Sequence, residues 1–141
     1  MADPFDLDRF VQAQERTYAT VLAELRAGRK KSHWIWFIFP QIDGLGHSST
    51  SRFYAIKSRD EARAYLEHPV LGARLRECTE IVVGLDDVSA DSVFGFPDTL
   101  KFRSCMTLFR RISSGDNCFA RALEKYFGGE EDPYTIRLLG S

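Results

Sequence analysis

Between Gly28 and Ser51 the chain reads GRKKSHWIWFIFPQIDGLGHSSTS, setting Arg29, Lys30, Lys31, His33 and Gln41 among Trp34, Trp36, Phe37 and Phe39. Ammonium groups can hold an anion, an indole face can stack a planar group, and an imidazole can move a proton near neutrality. A second stretch, Pro97 to Ser113, contributes Asp98, Lys101 and Ser104 at spacings of three. On a helix these three fall on one side, the side that also carries Phe102, Cys105 and Phe109. Ionised groups at the rim of an apolar stripe are costly unless they are paired or used. The chemistry these types suggest is recognition of a small phosphate-bearing or nucleotide-like metabolite. Lys30 and Lys101 would neutralise its anion, Trp36 would stack, and Gln41 would orient it. Ser48 and Ser104 would add hydroxyls, with His33 and Asp98 as the candidate catalytic pair if a reaction occurs. No serine–histidine–carboxylate triad is legible, and whether the protein is an enzyme stays open.

Each feature also has a plainer reading. Arg29 to Lys31 can compensate the dipole at a helix C-terminus, and Asp98 can pair with Lys101 at i, i+3. His33 can be a structural hydrogen-bonder, and the tryptophans can fill the core. The loop GLGHSS could bring backbone close to a phosphate or simply turn between helices; it lacks both the Walker lysine and the dinucleotide fingerprint.

The elements that must position these groups read as helices. Leu7, Phe10, Val11, Tyr18, Val21, Leu22 and Leu25 share a 3.6-residue stripe started by Asp3-Pro4 or Asp6 and ended by Gly28. Gln14 lies inside that stripe, so either the helix breaks at 14–17 or Gln14 is buried with a partner. Ser32 is the expected cap of a short element from His33 to Phe39, helix or strand, which Pro40 stops. Residues 41–51 read as loop. Ser58-Arg59-Asp60-Glu61 is a capping box, and that helix should stop near His68 before Pro69, which suits the first turn of the next. Leu71, Leu75, Cys78 and Val82 form the next buried stripe. Ser89 opens a short turn ending at Gly95, a helix spans Pro97 to Ser113, Asp116 caps another that ends at Gly128-Gly129, and Asp132-Pro133 starts the last. The expectation is an all-α fold, a single-domain multihelical bundle over residues 1–141 with about six to eight short helices.

At 141 residues with 44% hydrophobic and 28% charged content, the composition is that of an ordinary globular domain. The longest apolar run, Trp34 to Phe39, is far short of the roughly 20 residues a membrane helix needs. The acidic N-terminus lacks a signal-peptide core, so a cytoplasmic location is expected. A net charge of −1 argues against nucleic acid as a partner. Cys78, Cys105 and Cys118 are widely spaced and odd in number, which predicts buried free thiols. Neither they nor His33, His47 and His68 show metal-ligand spacing, so no metal and no cofactor are expected. The rival class is a non-enzymatic interaction module, such as a homodimer, packing its aromatic segment on another chain. Burial of Trp34 and Trp36 separates the two readings.

Three blocks, GRKKSHWIWFIFPQIDGLGHS, YAIKSRDEARAYLEHPVLGARLREC and FGFPDTLKFRSCMTLF, resemble the motifs of the bacterial family called domain of unknown function 1810. The resemblance runs from Phe5 to Leu139. It implies a small, mainly α-helical domain with no established activity. The polar positions that match are Lys30, His33, Gln41, Ser48, Asp98, Lys101, Ser104 and Thr107. A fainter similarity, of general style and without a shared block, is to the NAD-and-ADP-ribose-associated family.

Overall fold

The structure, a computed structural model, describes residues 3–115 and 117–140. The first stripe is indeed two helices, α1 (Asp8–Glu15) and α2 (Tyr18–Arg26). Both expectations for Gln14 are met at once. The chain breaks just beyond it, and the buried side chain donates to the Phe37 carbonyl (2.7 Å) and the Tyr65 hydroxyl (3.2 Å) while accepting from Arg74 (3.3 Å). Asp3, rather than Asp6, supplies the start, its carboxylate accepting from the backbone N–H groups of Leu7 and Asp8. Gly28 ends α2 at φ 75°, and the Arg29 N–H reaches back to the Glu24 carbonyl, the six-to-one bond of a Schellman turn.

Next come α3 (Ile35–Ile38), α4 (Ser49–Phe53), α5 (Arg59–Glu67) and α6 (Leu71–Val83). The segment before Pro40 is therefore a single helical turn. Residues 49–53, expected as loop, form another because Ser48 caps it by accepting from the Ser51 N–H. Ser58 caps α5 as expected, but the return half of the box differs. Glu61 accepts from the Lys57 N–H with one carboxylate oxygen and from the Arg9 guanidinium with the other, in place of the Ser58 N–H. The helix before Pro69 stops at Glu67, and α6 begins two residues after Pro69. The N-cap of α6 is Val70, and the side chain of His68, the C-cap of α5, accepts at Nδ1 from the N–H groups of Val70 and Leu71.

The rest of the chain forms α7 (Ala90–Phe94), α8 (Asp98–Ile112), α9 (Cys118–Phe127) and α10 (Pro133–Leu139). Ser89 and Asp132 cap α7 and α10 as expected. Asp116, the expected cap of α9, lies outside the described residues; the cap is Asn117, whose side chain accepts from the Ala120 N–H. The fold is all-α. Among the described residues there are ten helices, seven of them with seven or more residues, the excess over the expected number coming from single turns and from the break after Gln14. An isolated parallel bridge between Ile42 and Ile56 ties the loop after Pro40 to the stretch before α5.

One apolar cluster draws on residues from Leu7 to Leu139. Helix α8 runs through it and packs against α3, α5, α7, α9 and α10. At the end nearest the first motif block, Phe39 sits edge-on to Phe94 (5.8 Å) and Phe102 (5.0 Å), and Phe94 stacks on Phe102 at 4.4 Å. This aromatic knot locks α3 to the start of α8, bringing the two polar motif blocks side by side. All three cysteines are buried free thiols. Burial pushes the Cys78 thiol up to about 12 and that of Cys118 up to about 11. No described helix is long and apolar enough to cross a membrane.

Candidate functional site

The basic turn after α2 has an anion of its own. Glu24, one turn before the end of α2, reaches forward to accept from the N–H groups of Lys31 (2.7 Å) and Ser32 (3.0 Å). The same carboxylate takes the Ser32 hydroxyl (2.6 Å) and the Trp34 indole N–H (2.9 Å). Burial alone would raise the Glu24 pKa, but these four donors hold it at about 2. Ser32 is thus a ligand of Glu24 and not the cap of α3, whose N-cap is Trp34 without a side-chain bond.

This turn aims Lys30 inward. Its backbone N–H bonds the Val93 carbonyl (2.7 Å), its ammonium lies 5.1 Å from the Trp34 ring centre, and its Nζ meets Asp98 at 2.6 Å. The Lys30 side chain is only 6% exposed, so this ion pair is close to dry. Asp98 holds a second cation, Lys101, at 3.5 Å. Lys101 lies 4.8 Å from the centre of the Trp36 ring. Two tryptophans two residues apart therefore each carry a lysine, and both lysines share one aspartate.

Trp36 and Lys101 face an open cleft of about 450 Å³. Gln41, Leu45, His47, Ser48 and Ser51 form one wall, while Pro97, Leu100, Ser104, Asp132 and Tyr134 come from α8 and the start of α10. The near wall is held tight at Gly46, where a side-chain carbon would fall 2.5 Å from Ser51 Cβ. On the far wall the Ser104 hydroxyl donates to the Leu100 carbonyl (3.0 Å) and to Asp132 (3.2 Å). No described residue hydrogen-bonds the Gln41 side-chain amide, which leaves its donors and acceptor available to a ligand.

Of the residues singled out in the sequence, Trp36, Gln41, Ser48, Lys101 and Ser104 line this cleft. Lys30 and Asp98 are not among the lining residues; Asp98 meets both Lys30 and Lys101. His33 is exposed and is not among the lining residues. The imidazole that lines the cleft is His47. Sequence reasoning also missed Glu24, Asp132 and Tyr134. Asp132 carried a signal as a helix cap but none that linked it to Lys101. Hollows of similar size elsewhere have a different character. One of about 500 Å³ is lined by Arg63, Arg76, Glu80 and Arg121, with Glu80 already paired to Arg121 at 2.9 Å. Among the described residues no group of His, Cys, Asp and Glu could hold a metal ion.

The chain is similar over its whole length to a solved structure, the conserved hypothetical protein Rv1873 from Mycobacterium tuberculosis. The two are 51% identical, with a TM-score of 0.97 and 99% of each chain covered. No curated protein matches the chain. A family model matches residues 4–139, which takes in both lysine–tryptophan pairs, the shared Asp98 and every residue lining the cleft. The chain thus belongs to the family described as protein of unknown function, DUF1810.

Proposed function

We propose that the cleft between α3 and α8 binds a small nucleotide-like metabolite bearing a single anionic group. The observation that carries this reading is the half-buried Trp36 beside the Lys101 ammonium at the wall of a concave site. An indole face next to a cation suits a flat ring attached to a phosphate or carboxylate. Asp98 keeps Lys101 over the ring, and Lys30 keeps Asp98 in place, so the buried pair positions the charge that meets the ligand. Gln41, Ser48 and Ser51 supply hydrogen-bonding groups along the near wall. Trp34 takes no part: it is 1% exposed and its N–H is used by Glu24.

A thermal-shift screen against nucleotides, ADP-ribose, sugar phosphates and small carboxylates tests the reading, with Lys101→Met alongside. A ligand at 100 times its Kd adds about 2.7 kcal/mol, a rise of several degrees in Tm at this size. The expected outcome is a shift for the parent that disappears in a variant melting near the parent temperature. Absence of any shift across the panel would overturn it.

The reading as an interaction module rests on a different observation. Phe96, Leu100, Tyr134 and Leu138 are large apolar residues left exposed, Phe96 by 80%. Two of them, Leu100 and Tyr134, also line the cleft. Sedimentation over a concentration series tests self-association through this rim. A monomer up to about 100 μM would remove the homodimer as the biological form.

A further inference from the structure

Resting on the nucleotide-like reading above, we infer that Asp132 is the specificity-determining residue of the cleft and that it accepts a ribose hydroxyl. Asp132 is the N-cap of α10, and its Oδ2 is saturated there. It accepts from the Ser104 hydroxyl (3.2 Å), the Thr135 N–H (3.0 Å) and the Thr135 hydroxyl (2.5 Å). Its backbone N–H is fixed by the Thr107 hydroxyl at 2.9 Å. The carboxylate is therefore rigid, yet no described residue donates to its other oxygen, Oδ1. Capping α10 needs one oxygen, and the second is left as an oriented acceptor in a cleft that otherwise offers a cation, an indole and an amide.

The spacing narrows the ligand. On α8 the Lys101 ammonium is drawn back to Asp98, while Ser104, which touches Asp132, stands six residues beyond Asp98, so cation and free carboxylate oxygen flank a stretch of roughly two turns, about 9 Å along the axis. A pentose with a hydrogen bond at either end fits that span. A ligand spanning it carries its anion at one end and a hydroxyl donor at the other. Charge points the same way. Lys30 and Lys101 are balanced by Asp98 and Asp132, so the site has no surplus cation for a chain of phosphates. A ribonucleoside 5′-monophosphate fits this pattern: phosphate at Lys101, base on Trp36, ribose hydroxyl on Asp132.

The test is calorimetric titration of the four common ribonucleoside 5′-monophosphates and their 2′,3′-dideoxy counterparts. The proteins are the parent, Asp132→Asn and Lys101→Met. Asparagine is as good an N-cap as aspartate, so α10 keeps its start while the charge goes. The expected result is a ribonucleotide that binds the parent at least tenfold more tightly than its dideoxy form, a preference that Asp132→Asn abolishes. The dideoxy comparison on the parent holds even if the variant folds poorly. Equal affinity of the parent for both forms, with binding still lost in Lys101→Met, would overturn the assignment of Asp132 and leave the cleft reading standing. Failure of the parent to bind any of the four monophosphates would overturn the assignment outright. Binding of other compounds in the wider screen would then decide the cleft reading separately.

Discussion

Trp34 and Trp36 make nearly the same local arrangement in opposite surroundings, one buried and one at the wall of a cleft. Each has a lysine ammonium about 5 Å from its ring, and the two lysines meet on Asp98. Around Trp34 the buried polar side chains all have protein partners among the described residues. Glu24 takes its N–H, and Lys30 is sealed against Asp98. Around Trp36 the ring is half-buried, Lys101 is 26% exposed, and the Gln41 side-chain amide has no partner among the described residues. A cation over an aromatic ring is therefore no sign of a binding site by itself. What separates frame from site is whether the polar groups around it are already satisfied.

Five substitutions would break or sharpen that contrast. The largest effect is expected from Trp34→Ala, which leaves a cavity and strips Glu24 of a donor. It should cost about 3–5 kcal/mol in denaturant unfolding, whereas Trp36→Ala should cost well under half of that and abolish ligand binding. Asp98→Asn comes next. It leaves the nearly dry Lys30 ammonium without its counter-charge, and removal of one partner from such a pair costs about 3 kcal/mol. A smaller loss would mean that water reaches Lys30 more freely than its 6% exposure implies.

Glu24→Gln should lower stability at neutral pH by about 1–2 kcal/mol, since it exchanges charge-assisted bonds for neutral ones. The Glu24 pKa is depressed in the folded protein, from 4.5 to about 2. Its contribution is therefore complete above about pH 5 and is lost as the pH falls towards 2. Melting curves of parent and variant should accordingly converge across that window. Parallel curves from pH 7 to pH 3 would show that Glu24 is not the hub of the turn. The smallest effect on stability belongs to Lys101→Met. An exposed cation–π contact is worth about 0.5–1 kcal/mol, and the methionine keeps the apolar stem against Trp36. Only ligand binding should suffer.

Features set by neighbours in sequence were legible from it. Ser58, Ser89 and Asp132 act as caps, Gly28 and Gly95 end their helices, and the buried thiols fall on apolar stripes. These are short-range matters of backbone donors and 3.6-residue periodicity. Trp36, Gln41, Ser48, Lys101 and Ser104, singled out in the sequence, all line one cleft, because the packing of α3 on α8 sets their two blocks side by side. The remainder depended on distance in the chain. Glu24 satisfies groups seven to ten residues ahead through a left-handed turn that has no periodic signal. Asp132 reads as a cap alone until α10 is packed on α8, 28 residues behind it, where it meets Ser104. His33 stands apart from the cleft, exposed between Ser32 and Trp34, both of which Glu24 holds, a placement that adjacency in sequence does not reveal.

Fluorescence offers the most direct test of the central claim, since the chain has two tryptophans. In Trp34→Phe the emission comes from Trp36 alone, and in Trp36→Phe from Trp34 alone. The variants would be titrated with the compound that gives the largest thermal shift on the parent. The account predicts saturable quenching in Trp34→Phe, absent in Trp36→Phe and in the Trp34→Phe, Lys101→Met double variant. Equal quenching of both tryptophans, or none at Trp36 while the ligand still shifts Tm, would contradict it and move the site away from the cleft.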